Sequence, residues 1–258
     1  MSDERRTSRR TGVESNLRTA VVWSAVSTLT KERQSEIGRP LRVLDLGGGT
    51  GGLAVPLATQ GHTVTVIDPS LDALASLRRR SAEAGAEDRV RAVQGDAESL
   101  ADILKRGSVD LVCCHGTLEV VEDADDTLAR IAHVLAPGGY LSLVTAQRLA
   151  VVLARALAGR FEQAHQALTS TDGRWGEHDP LPRRFDAETI TEMVERVGFT
   201  VEEVQGLRLF SDLVPSALID GDADRQALLA LEIAASTGPA AEVLGSLGSA
   251  IHVLARRD

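Results

Sequence analysis

The amino-acid sequence predicts an α/β fold in which a mostly parallel, seven-stranded sheet carries helices on both faces. Two observations predict it. Short apolar runs alternate along the chain with helix-like segments, and a glycine-rich string directly follows the first of these runs. Such alternation is typical of parallel sheets covered by crossover helices. The 258 residues, of which 43% are hydrophobic, suffice for one such domain with an aliphatic core.

The elements of the first half follow from the period of their apolar residues. A helix is expected over residues 15–36, and Gly38 and Pro40 end it. The arginine-rich residues 1–14 before it are predicted to form a disordered tail. Strands are expected at residues 41–46, 62–67, 90–94, 109–114 and 140–145, with helices at 53–59, 71–84 and 124–135.

The second half is predicted to add a lid and to complete the sheet. Residues 147–185 are interpreted as a helical, lid-like insertion with one helix over 149–168. A helix over 187–197 is expected to begin at Asp186 as its N-cap. The last strands are expected at 200–210 and 250–256, with a helix over 222–235 between them. Residues 15–258 are therefore interpreted as a single domain.

Composition and charge exclude several classes of protein. The net charge of -9 argues against a protein whose whole surface attracts nucleic acid. The two cysteines, Cys113 and Cys114, are neighbours in a predicted strand and point to opposite faces, which disfavours a mutual disulfide and a shared zinc ion. No apolar run reaches membrane-spanning length, and the N-terminus has no apolar signal core. These features predict a cytoplasmic protein without membrane contact.

The glycine-rich string is the strongest motif in the sequence. It places Asp45 before the first strand's end and then Gly47, Gly48, Gly49 and Gly51 ahead of a helix. Glycines let the backbone turn sharply and approach a ligand closely, since no Cβ intervenes. A loop at this point lies at the carboxyl edge of a parallel sheet, where open α/β folds bind ligands. The string also satisfies the G-x-G-x-x-G pattern of NAD-binding proteins.

Three acids distinguish S-adenosylmethionine (SAM) from NAD as the ligand. Asp45 precedes the glycines by two residues, as does an acid that methyltransferases use near the methionine part of SAM. Asp68, followed by Pro69, ends the second strand, where it can accept hydrogen bonds from both ribose hydroxyls. Asp96 and Ala97 follow the third strand, where methyltransferases contact the adenine. Each acid alone could equally cap a loop or helix, but the set of three favours SAM.

These motifs resemble those of class I SAM-dependent methyltransferases, and this resemblance implies their Rossmann-like fold. A narrower likeness runs through nearly the whole chain, to the bacterial family that methylates 5-carboxymethoxyuridine in tRNA. It is carried by residues 17–23, 114–119, 159–161, 182–183, 206–212, 228–233 and 251–256. The resemblance implies that Arg18 contacts the carboxylate of SAM and that His115 lines the cofactor pocket. The predicted cofactor-binding residues are Arg18, Asp45, Gly47, Gly48, Gly49, Gly51, Asp68, Pro69, Asp96, Ala97 and His115.

The acceptor of the methyl group is less well defined by the sequence. A carboxylate nucleophile requires no general base, whereas a hydroxyl acceptor could use His115 as one. Four arginines lie in segments expected near the cofactor mouth: Arg148, Arg160, Arg183 and Arg208. Of these, Arg148 and Arg183 are the predicted substrate contacts, because arginine matches carboxylates and phosphates, although both could be solvated surface residues. Acidic residues around Glu119 are interpreted as loop and helix-start residues, and no metal site is expected.

Three hypotheses of function remain at this point. The first is a tRNA carboxyl methyltransferase. The second is a small-molecule O- or N-methyltransferase, because residues 168–177 carry few cations where the tRNA family has a lysine-rich run. The third is a non-catalytic SAM-binding module. The oligomeric state is not predicted by the sequence.

Overall fold

A single seven-stranded sheet forms the centre of the protein. The structure, a computed structural model, describes residues 19–215, 218–219 and 221–258. Within them the strands stand in the order β3-β2-β1-β4-β5-β7-β6, and β7 runs antiparallel to both of its neighbours. The strands are β1 (Arg42–Leu46), β2 (Thr63–Asp68), β3 (Val90–Gln94), β4 (Val109–His115), β5 (Leu135–Ala146), β6 (Phe199–Leu207) and β7 (Ala250–Arg257). The predicted mostly parallel, seven-stranded α/β fold is confirmed.

Helices cover both faces of this sheet. They are α1 (Ala20–Ile37), α2 (Ala54–Thr59), α3 (Leu71–Glu83), α4 (Leu100–Ile103), α5 (Ala124–Val134), α6 (Arg148–Leu157), α7 (Phe161–Thr169), α8 (Ala187–Arg196), α9 (Asp222–Thr237) and α10 (Ala241–Gly245). One apolar core joins α5 and α8 to the sheet through residues such as Leu128 and Ile190. The other core joins α1, α2 and α3 to the opposite face through residues such as Val26 and Leu74. The sheet is thus buried on both sides, as parallel sheets require.

Several predicted boundaries differ from the observed ones. The helix expected over 149–168 is divided into α6 and α7, because Gly159 adopts a left-handed φ of 71° between them. The N-cap of α8 is Asp186, as predicted, although its side chain makes no capping hydrogen bond and its carboxylate pairs with Arg148. The strand expected over 200–210 ends at Leu207, because Arg208 has a positive φ. Helices α4 and α10 are too short for sequence periodicity to indicate them.

The predictions for the N-terminus fall on residues that the structure does not describe. They concern the tail at 1–14, the first residues of the helix expected over 15–36, and Arg18. In the described part of the chain, no helix is long and apolar enough to cross a membrane.

The topology places the functional residues at one edge of the sheet. Strands β1 and β4 are parallel neighbours, and the crossovers from them lead in opposite directions across the sheet. At such a switch point the loops after the strands separate and leave a crevice. The loop after β1, Asp68 at the end of β2, and His115 at the end of β4 therefore share one edge.

Candidate active site

The loop after β1 adopts a conformation that only glycine accepts. Gly47 and Gly51 have φ values of 72° and 80°, in the left-handed region. A Cβ added to Gly47 would lie 2.1 Å from Thr117 Oγ1, and one added to Gly51 would lie 2.2 Å from Leu77 Cδ1. The loop thus packs closely between helix α3 and the loop that follows β4, and its glycines present backbone without side chains at the carboxyl edge of the sheet.

Asp68 lies directly against this loop. Its Oδ2 accepts a hydrogen bond from Gly49 N at 2.9 Å, and its Oδ1 accepts one from Ser70 N at 2.9 Å. Each carboxylate oxygen has a further lone pair, so both can still accept hydrogen bonds from a diol. The structure brings the predicted ribose acid and the glycine loop together. The assignment to the ribose stays a prediction.

Asp45 is a buried acid whose Oδ2 has no hydrogen-bond partner within the described residues. Burial, together with the negative charge of Asp68, raises the pKa of Asp45 to about 7. A cationic ligand beside it would satisfy the unpaired oxygen and favour the ionised carboxylate. These residues fit SAM, which supplies an electrophilic sulfonium methyl group when it is bound. Asp45, the glycine loop and Asp68 are the residues that would hold it.

Asp96 and Ala97 begin a tight turn after β3. Asp96 Oδ1 accepts a hydrogen bond from Ser99 N at 3.1 Å, while Asp96 N donates one to Ser99 Oγ at 2.9 Å. Ala97 is buried in the core beneath this turn. Asp96 is therefore a turn former, and its predicted contact with adenine remains open. Pro69 lies nearby, since Gln94 Nε2 donates a hydrogen bond to its carbonyl at 3.3 Å.

His115 belongs to a chain of polar side chains across three strands, in which His115 is half-buried and Ser142 and His252 are buried. His115 Nε2 lies 2.9 Å from Ser142 Oγ, which lies 2.9 Å from His252 Nε2. Burial is the main reason why the pKa of His115 is lowered to about 3, with the nearby His252 contributing. Burial also lowers the pKa of His252 to about 4. A ring with so low a pKa is a weak base, so the geometry favours the pocket-lining interpretation of His115.

A cavity adjoins this edge of the sheet. Its volume is about 250 Å³. It lies between α6, the end of β5, the turn after β6, and the loop at 170–186 between α7 and α8, called the insertion loop below. Its walls are mostly apolar, and they include Ala146, Ala150, Ala154 and Leu181. A cavity beside the carboxyl end of β5, on the edge where open α/β sheets bind ligands, can hold a methyl acceptor.

Arg208 is the cationic group of this cavity that sequence reasoning did not select. Its φ is 56°, and its buried Nε makes no hydrogen bond to any described residue. The nearest carboxylate oxygen, Asp212 Oδ2, lies 3.6 Å from Nε. The cavity's other guanidinium, that of Arg184, is held by both carboxylate oxygens of buried Asp179 at 2.6 and 2.9 Å. Arg208 therefore has unused hydrogen-bonding capacity, whereas Arg184 stabilises the insertion loop.

The two arginines predicted to contact the substrate have other partners. Arg148 donates to the carbonyls of Ser170 and Thr171 at 2.6 and 3.2 Å, and its Nε lies 3.1 Å from Asp186 Oδ2. Arg183 Nη2 donates to the carbonyl of Glu122 at 3.0 Å, which ties the insertion to the loop after β4. Arg148 thus holds the insertion in place. A substrate contact by either residue stays a prediction.

Glu119 lies in the loop after β4 and is hydrogen-bonded to the end of β5. Its Oε1 accepts a hydrogen bond from Ala146 N at 2.5 Å, while its buried Oε2 has no partner among the described residues. Burial raises the pKa of Glu119, an effect that backbone hydrogen bonds and the charges of Arg208 and Arg184 oppose. The acidic residues predicted to start a helix do so, since Asp123 caps α5. In the described part of the chain, no cluster of three His, Cys, Asp or Glu residues could hold a metal ion.

Known proteins agree with this geometry. The family described as "Methyltransferase domain" matches residues 43–139. The chain is 30% identical over 241 residues to the tRNA 5-carboxymethoxyuridine methyltransferase of Escherichia coli (strain K12), covering 93% of this chain and 88% of that protein. It is 32% identical over 187 residues to a ubiquinone biosynthesis O-methyltransferase of Azorhizobium caulinodans, covering 71% of this chain and 68% of that one.

A solved structure agrees in fold. The S-adenosylmethionine dependent methyltransferase from Mesorhizobium loti superimposes with a TM-score of 0.58 at 23% identity, covering 84% of this chain and 91% of that one. The predicted cofactor, SAM, and the predicted methyltransferase activity are confirmed by these relatives together. The chain therefore belongs to the class I SAM-dependent methyltransferases, the family that includes the tRNA 5-carboxymethoxyuridine methyltransferase of Escherichia coli.

Proposed function

We propose that this enzyme methylates a carboxylate, that of 5-carboxymethoxyuridine in tRNA, and thereby forms the methyl ester. The observation that carries the proposal is Arg208, whose buried Nε makes no hydrogen bond to described residues at the cavity beside the cofactor edge. A guanidinium presents a planar fork of donors that matches the two oxygens of a carboxylate. The bacterial relative similar over 93% of this chain is named for this acceptor.

The electrostatics of the site support an acceptor that is already anionic. Proton removal by His115 is disfavoured, because its pKa of about 3 leaves the ring with little affinity for a proton at neutral pH. A carboxylate needs no such step, and its negative charge is complementary to a bound sulfonium. What the site must supply is orientation, and a guanidinium that grips one end of the acceptor supplies it.

The cavity dimensions suit part of a nucleotide rather than a whole RNA segment. A volume of about 250 Å³ accommodates a single base with its substituent. A wobble base would have to leave the anticodon stack to enter it, as bases do in other base-modifying enzymes. We place the remaining contacts of the tRNA on the insertion at 147–185, and the enzyme itself in the cytoplasm, where tRNA is modified.

Methyl incorporation from labelled SAM tests this proposal. The acceptors are tRNA that carries 5-carboxymethoxyuridine and the same tRNA with unmodified uridine, both at low salt to preserve phosphate contacts. We expect incorporation into the first tRNA only. Equal incorporation into both, or none into either, contradicts the proposal.

A small-molecule O-methyltransferase is the second candidate, and Glu119 favours it. Its Oε1 accepts a hydrogen bond from Ala146 N, and Ala146 lines the cavity. Its buried Oε2 has no described partner, and burial raises its pKa, so a small shift of this carboxylate toward the cavity would let it take a proton from a hydroxyl acceptor. The variant Glu119→Gln separates the candidates. It should abolish turnover of a hydroxyl acceptor, whereas methylation of a carboxylate should continue at a reduced rate.

A further inference from the structure

A buried carboxylate outside the sheet holds the turn that carries Arg208. Glu232 lies on α9 and is only 3% exposed. Its Oε2 accepts a hydrogen bond from Leu209 N at 2.9 Å. Its Oε1 accepts hydrogen bonds from Phe210 N at 3.0 Å and from Ser211 N at 2.7 Å. Three consecutive backbone N–H groups thus converge on one side chain, 21 to 23 positions further along the chain.

This turn begins with a strained residue. Arg208 is the one non-glycine residue, of those that the structure describes, with a positive φ. A long side chain adopts this conformation only where its surroundings enforce it, and such strain is concentrated at functional sites. Here the surroundings are Glu232, which binds the three residues that follow, and Ser249 N, which donates to the carbonyl of Arg208 at 3.4 Å.

The consequence of this conformation is the direction of the guanidinium. An extended conformation at residue 208 would prolong strand β6 by one residue, and the turn would begin later. The left-handed residue instead ends the strand and brings Arg208 to the wall of the cavity. Glu232 itself is absent from the cavity's lining. Its effect on an acceptor must therefore pass through the turn.

We infer that Glu232 is a positioning residue, which fixes the turn at 208–211 so that the guanidinium of Arg208 meets the acceptor's carboxylate. The inference rests on the proposed function for the identity of that acceptor. A purely structural role for Glu232 would change stability alone. A positioning role changes acceptor recognition, and it does so only as long as Arg208 is present.

A double-mutant cycle distinguishes these roles. In Glu232→Gln the amide offers one acceptor oxygen and brings an NH₂ group toward backbone donors, so the turn loses its fixed geometry. In Arg208→Lys the charge remains, but the planar fork is lost. We expect each single variant to raise the KM for the carboxymethoxyuridine tRNA about tenfold with a smaller effect on kcat. The double variant should be no worse than Arg208→Lys alone.

The controls separate charge and folding from positioning. Glu203→Gln removes an exposed carboxylate from β6 and should leave the KM unchanged. Adenosylhomocysteine affinity should be the same in all variants. If Glu232→Gln does not fold, Glu232→Asp keeps the charge on a shorter side chain, and its KM should rise and show the same dependence on Arg208. Additive effects on the KM, or a lower melting temperature with an unchanged KM, overturn the inference.

A binding measurement keeps this test independent of the proposed function. Calorimetry with the nucleoside 5-carboxymethoxyuridine, in the presence of adenosylhomocysteine, provides a Kd for the same cycle. If the wild type binds the nucleoside but does not methylate the tRNA, the proposed function fails, and the cycle in Kd decides the inference. If the wild type methylates the tRNA but the effects of the Glu232 and Arg208 substitutions are additive, the inference about Glu232 is overturned and the proposed function stands. If the wild type neither binds the nucleoside nor methylates the tRNA, the proposed function and the inference about Glu232 are both overturned.

Discussion

The backbone of Arg208 allows its strain and its function to be separated by two substitutions. Arg208→Ala and Arg208→Gly both remove the guanidinium, but only glycine accepts a φ of 56° without a steric penalty. If the turn exists to direct a side chain, the protein without that side chain should be more stable with glycine than with alanine. Activity should be equally low in both variants.

The magnitudes follow from backbone and hydrogen-bond energetics. A left-handed conformation costs an alanine roughly 1–2 kcal/mol. Glycine loses about 0.5–1 kcal/mol more conformational entropy on folding, which leaves a net advantage of roughly 0.5–1 kcal/mol for Arg208→Gly. For a domain of this size that difference is about 1–4 °C in melting temperature. Loss of a hydrogen-bonded charge pair with the acceptor costs about 1.5–3 kcal/mol, or roughly 10- to 160-fold in kcat/KM.

Thermal unfolding and initial-rate kinetics on the three proteins test this reasoning. Arg208→Gly should melt above Arg208→Ala, and both should lose most of their kcat/KM toward the carboxylate acceptor while binding adenosylhomocysteine normally. Equal melting temperatures would show that the turn is not strained. Wild-type kcat/KM in either variant would show that the acceptor is held elsewhere.

Other predictions concern the cofactor side of the site. Gly47→Ala places a Cβ against Thr117 Oγ1 at a left-handed φ, so adenosylhomocysteine affinity should fall at least tenfold by calorimetry, whereas Gly52→Ala, which meets nothing within 4 Å, should bind normally. Folding raises the pKa of Asp45 to about 7, so the unfolded chain releases this proton at a lower pH than the folded protein does. The free energy of unfolding therefore falls as the pH rises from about 4 to 7. Melting curves of the ligand-free protein should therefore show Asp45→Asn gaining on the wild type over this range. Since His115 is already neutral above pH 5, kcat should show no histidine inflection between pH 6 and 8, and one near 6.5 would contradict its assignment as a pocket residue.

The sheet and the cofactor loop could be predicted from the sequence because their signals are local. Short apolar runs that alternate with helix-like segments indicate the strands. A string of glycines directly after a strand indicates a backbone that approaches a ligand. Asp68 could also be predicted, since the carboxyl ends of parallel strands share one edge. The structure adds a hydrogen bond from Gly49 N that ties the two motifs together.

The acceptor side could not be predicted, because its determinants are distant in the sequence. Arg148 and Arg208 are equally cationic, and each has its Nε near a carboxylate oxygen. Only the tertiary structure shows that Arg148 also donates to the carbonyls of Ser170 and Thr171, whereas the Nε of Arg208 makes no hydrogen bond to a described residue. The left-handed conformation of Arg208 depends on Glu232, which lies on another element. Sequence signals existed in the segment at 206–212 that resembles the tRNA-modifying family, but they did not indicate which side chain faces the cavity.

The central property proposed for this enzyme is transfer of the methyl group to a carboxylate oxygen. A methyl ester is hydrolysed by mild alkali, whereas a methyl ether or a methylated nitrogen is stable. Nucleoside mass spectrometry of tRNA treated with the enzyme and SAM, before and after alkali, therefore tests this claim directly. We expect a methylated carboxymethoxyuridine that reverts to the free acid on alkali treatment. A methyl group that survives alkali, or a carboxymethoxyuridine that gains none, would contradict it.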